Sequence, residues 1–70
     1  MMFIKVTNMV QERAGDPILI NVDKIISVYE DHVEGGSLKT IIYLSETLVF
    51  HVEESIEKVH SLIKAAIASR

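Results

Sequence analysis

The sequence predicts a small α+β domain: a mainly antiparallel sheet of four or five strands with one C-terminal helix packed on one face. Three observations carry that expectation. Apolar residues recur with period two in short runs such as Ile4 and Val6, Ile18, Ile20 and Val22, and Leu48, Phe50 and Val52. Past Glu53-Glu54-Ser55 the period becomes helical, through Ile56, Val59, Leu62, Ile63, Ala66 and Ile67. The 70 residues allow one domain at most, so both patterns must share one core.

The elements follow in chain order. Phe3 to Asn8 forms the first expected strand, with Ile4 and Val6 on one face and Phe3, Lys5 and Thr7 on the other. Gln11 to Asp16 is polar and connects. Pro17 can begin the second strand, because its missing N–H is tolerated at a first or edge position. Val22-Asp23-Lys24 bends the chain into a third strand from about Ile25 to Glu30. Asp31 to Ser37 is expected to be a loop, with Gly35-Gly36 as its strongest signal. Leu38 to Leu44 and Thr47 to Glu53 are the fourth and fifth strands, joined through Ser45-Glu46. Ser55 is placed to cap the helix, Glu53, Glu54 and Glu57 complement the positive end of its dipole, and Glu54 and Lys58 have i,i+4 spacing.

A helix of about 14 residues is roughly 21 Å long and covers only one face of a sheet. If Ile4, Val6, Ile18, Ile20, Ile26, Val28, Leu48, Phe50 and Val52 face it, then Phe3, Leu19, Ile25, Tyr29 and Val49 face away. On the fourth strand Ile41 and Tyr43 share one face, Ile42 and Leu44 the other. A contiguous outer apolar patch marks an interface, unless the sheet curls into a small barrel that buries both sets. A chain of this size exposes a large share of its surface, and 49% apolar composition without cysteine leaves tight packing or oligomerisation to stabilise it. We therefore expect a homo-oligomer, with Phe3, Leu19, Tyr29 and Tyr43 in the protein interface.

Composition also argues against several function classes. The absence of cysteine removes disulfides and thiolate metal sites and fits a cytoplasmic location. Met1-Met2-Phe3-Ile4-Lys5 lacks the pattern of a secretory signal, and no apolar run approaches the roughly 18 to 20 residues that span a bilayer, so no membrane insertion is expected. The net charge is −3, with the seven basic residues scattered singly, which argues against a phosphate-neutralising nucleic-acid surface. Phe3, Tyr29, Tyr43 and Phe50 could stack bases, but no basic groove accompanies them and packing explains them better.

No catalytic, cofactor-binding or metal-binding residue is singled out. His51 and His60 are two ligands where a metal needs three or four. His32 lies among Asp31 and Glu34 beside Gly35-Gly36, in what is expected to be a solvated turn rather than an acid–base pocket. None of the serines sits in a Gly-x-Ser-x-Gly elbow, and Gly35-Gly36 lacks the Lys-Ser/Thr continuation of a phosphate loop. The chain is thus expected to be non-enzymatic and to need no cofactor.

Four segments carry a family resemblance: Ile4-Lys5-Val6-Thr7, Ile18 through Ile25, Thr40-Ile41-Ile42-Tyr43-Leu44, and Val52 through Val59. Together they resemble the small FlbD/SwrD-like flagellar proteins, most closely at the Asn21-Val22-Asp23 bend and the Val52-Glu53-Glu54-Ser55 junction. The resemblance implies a protein without catalytic residues, associated with flagellar function in bacteria. The turns differ: a longer Met9 to Asp16 segment, Val22 for the usual proline, and Gly35-Gly36 and Ser45-Glu46 in place of the family's turns. A small protein of phage or mobile-element origin fits the same features. The expected function is a self-associating protein-binding module, an accessory or regulatory protein with an unidentified protein partner. The alternative is a small nucleic-acid-binding regulator.

Overall fold

The computed structural model describes residues 2–32 and 35–69. It contains strands β1 (Phe3–Thr7), β2 (Pro17–Asn21), β3 (Ser27–His32), β4 (Leu38–Tyr43) and β5 (Val49–Val52), followed by helix α1 (Ile56–Ala68). The α+β class, the antiparallel pairing and the terminal helix are those the sequence predicts. The five strands divide between two sheets, β1–β2 and β3–β4–β5.

A short seam joins the sheets. Asn8 opposes Val52 in an antiparallel bridge. Beside it the Met9 N–H donates to the His51 carbonyl at 3.1 Å and the Glu53 N–H to the Thr7 carbonyl at 2.9 Å. The chain turns into the helix immediately afterwards, so β5 cannot run further along β1. The Glu54 side chain takes over the pairing: one carboxylate oxygen accepts from the Thr7 N–H and the other from the Thr7 hydroxyl, both at 2.8 Å. The buried Thr40 hydroxyl donates to the Glu54 carbonyl. Glu54 is therefore held by β1 and β4. It precedes the first helical residue, so the i,i+4 spacing to Lys58 does not describe its surroundings.

Ser55 caps α1 as expected, its hydroxyl accepting from the Lys58 N–H at 3.1 Å. Ile4, Val6 and Ile20 from the first sheet, Ile42 and Val52 from the second, and Val59 from the helix form the fully buried core. Ile18, Val28, Phe50, Leu62, Ile63 and Ala66 pack around it.

Alternation fails at two places. Ile26, expected inside, is 68% exposed, while Ile25, expected outside, packs against the core. The cause is a bulge: the Ile26 N–H bonds the carbonyl of Tyr43, the residue that Ser27 opposes, so two residues face one and the inside–outside order resets. The 3₁₀ turn Val22–Lys24 just before it, held by Asn21 Oδ1 accepting from the Asp23 N–H, delays β3 to Ser27. Leu48 was also expected inside and is exposed. Its carbonyl accepts from both Leu44 and Ser45, and it stands in the turn beyond the last β4–β5 pair, Tyr43 with Val49. The loop expected from Asp31 begins later, since Asp31 and His32 complete β3; Glu34 lies outside the described residues. No second strand covers β2 or β3 among the described residues, and those two edges leave the barrel unclosed.

Candidate protein-interaction surface

Because Thr40, Ile42 and Val52 point inward, the odd-numbered positions of the three-stranded sheet point outward. Tyr29, Ile41, Tyr43, Val49 and His51 therefore share the face that α1 does not cover. The pairing of Tyr29 with Ile41 and of Ser27 with Tyr43 makes the two tyrosines diagonal neighbours. Their rings meet edge to face, with centroids 5.5 Å apart at 89°. This arrangement matches the positive edge of one ring to the negative face of the other. Tyr29 remains 56% exposed.

Phe3 and Leu19 occupy the outer face of the other sheet, opposite the buried Ile4, Val6 and Ile20. They are 48% and 66% exposed. The four expected interface residues thus all lie on outer faces, two on each sheet, and the two tyrosines are in ring contact.

Sequence reasoning did not anticipate a groove on the other side of β3. Val28 forms one wall, and Ile56, Val59 and Ile63 of α1 form the other, enclosing about 400 Å³ with Glu57 and His60 beside them. Ile63 also lines a second, more polar hollow with Met2, Val22, Asp23, Ile25 and Ile67. One signal was present in the sequence. Ile56 and Ile67 widen the helical stripe beyond the Val59, Leu62, Ile63 and Ala66 positions that pack on the core.

The histidines do not assemble a site. His51 opposes Ile41 on the outer face and lines a hollow with Met9, Val10 and Lys39, whereas His60 stands by the helix groove. His32 ends β3, its N–H bonded to the Asp31 carboxylate at 2.9 Å. Among the described residues no three His, Cys, Asp or Glu side chains converge to hold a metal ion. No helix among them is long and apolar enough to cross a membrane. Compared with known proteins, the chain matches no protein-family model, no curated protein and no solved structure.

Proposed function

We propose that this chain is a non-enzymatic protein-binding module that works as a homo-oligomer, joined through its outer sheet face and an exposed edge strand. The observation that carries the reading is the uncovered aromatic and aliphatic surface: Phe3, Leu19 and Tyr29 exposed, with Tyr43 edge to face against Tyr29. Soluble monomers rarely leave large apolar residues grouped in this way without a partner. An accessory or regulatory role in the cytoplasm of a bacterium or phage-infected cell suits a module of this kind. The FlbD/SwrD-like resemblance suggests a flagellar setting for it.

Sedimentation equilibrium between low and high micromolar concentration tests the reading. The expected outcome is a reversible oligomer that Tyr29→Ser combined with Tyr43→Ser weakens. A strict monomer at high micromolar concentration overturns it.

A further inference from the structure

We propose that two copies of this chain join by antiparallel pairing of β3 with β3 of the second copy, with Tyr29 on the two-fold axis. The inference rests on the self-association reading above and specifies its geometry.

The backbone identifies the edge. The Leu44 N–H bonds the Leu48 carbonyl, so even-numbered positions of β4 face β5 and odd-numbered positions face β3. Ser27, Tyr29 and Asp31 are therefore the β3 residues bonded to β4, and the N–H and C=O groups of Val28 and Glu30 point to the open side. The edge of β2 is a poorer template. Thr7 gives its N–H to Glu54 and Asn8 bonds Asp16, which leaves Pro17, Leu19 and Asn21 on the outer side of β2, and Pro17 has no N–H.

Charge then selects the register. Centred on Glu30 or on Asp31, the pairing sets like carboxylates directly opposite each other, which is unfavourable. Centred on Val28, it needs Ile26, whose N–H is already given to Tyr43. Centred on Tyr29, it sets Val28 against Glu30 of the second copy and Ser27 against Asp31. Four backbone hydrogen bonds then flank the axis, and the Tyr29–Tyr43 pairs of both copies meet on the outer face. On the inner side the stem of Glu30 from the second copy lies over Val28 at the groove.

The self-complementary register centred on Tyr29 points to a second copy as the occupant, and the exposed area leaves room for one. A compact monomer of 7.9 kDa is expected to expose about 4,400 Å², whereas this chain exposes 5017 Å², about 600 Å² more. That excess is comparable to the roughly 800 Å² each partner contributes to a standard interface.

Two sets of variants test the geometry by sedimentation equilibrium and oxidative cross-linking. Glu30→Pro removes an N–H that no intrachain strand uses, and it is expected to raise the dimer dissociation constant about tenfold or more. Tyr29→Cys, Ser27→Cys, Asp31→Cys and Phe3→Cys each introduce the chain's only thiol. Under diamide, Tyr29→Cys is expected to link fastest, because opposed non-hydrogen-bonded residues lie about 4.5 Å apart, within disulfide reach. If Glu30→Pro does not fold, the thiol series decides. A dimer that Glu30→Pro leaves unchanged, or one that links fastest through another position, overturns this geometry and leaves self-association standing. A monomer at high micromolar concentration, whatever else the groove then binds, overturns both.

Discussion

The seam between the two sheets and the open side of β3 solve the same problem in opposite ways. At the seam, strand pairing stops at Asn8 and Val52, and polar side chains continue it: Glu54 binds the backbone and hydroxyl of Thr7, and Thr40 binds Glu54. Among the described residues no buried side-chain donor or acceptor is left without a partner. Along β3 the backbone pairing also stops, yet among the described residues no side chain replaces it at Val28 or Glu30. The His32 N–H is covered by the neighbouring Asp31 carboxylate. This short chain joins β1 to β5 with its own groups and leaves the edges of β2 and β3 uncovered among the described residues. The difference separates what holds the fold together from what offers a surface to another chain.

The largest effect expected from breaking this contrast lies on β4, where neighbouring residues belong to the two regimes. Ile42 is fully buried and Ile41 faces outward opposite His51. Ile42→Ala is expected to cost about 3 kcal/mol through lost burial and a residual cavity, lowering the melting temperature by roughly 15 °C. Ile41→Ala should cost no more than about 1 kcal/mol. Urea unfolding at one fixed protein concentration compares them, since oligomerisation makes stability depend on concentration. Equal losses would mean that the outer face is as tightly packed as the core.

The seam gives the next effect. Glu54→Ala removes both bonds to Thr7 and is expected to destabilise by about 2 kcal/mol. Glu54→Gln keeps an acceptor for the N–H and offers an amide donor to the hydroxyl, so it should recover at least about half of that loss. Amide hydrogen exchange at Thr7 adds a local readout: faster exchange in Glu54→Ala than in Glu54→Gln is expected, and identical rates would remove Glu54 from the pairing. Smallest is the helix cap. Ser55→Ala should cost about 1 kcal/mol by freeing the Lys58 N–H, while Leu48→Ser, in the exposed turn, should stay within about 0.5 kcal/mol.

Much of the fold was legible because period and burial agree where strands are regular. Ile4, Val6, Ile20 and Val52 all lie where alternation places them, and Ser55 caps where the rhythm changes. Ile25, Ile26 and Leu48 were misplaced because bulges and turns shift the inside–outside order without any change in residue type. Leu and Ile are equally apolar whichever way the pleat points. Among the interface candidates, the exposure of Phe3, Leu19 and Tyr29 followed from their parity, and the Tyr29–Tyr43 contact from none of it. That contact needs Ser27 to oppose Tyr43, and such a register is a relation between segments far apart in sequence.

By itself the sequence determined the α+β class, the helix with its cap, and which residues of each regular strand are apolar on which side. These are local properties, set by side-chain periodicity and by the groups within a few residues. The division into two sheets, the Thr7–Glu54–Thr40 seam, the free edge of β3 and the groove beside α1 were decided only by the tertiary structure. Each depends on where one backbone segment stops pairing with another, and that point is set by long-range hydrogen bonds that leave no periodic mark along the chain.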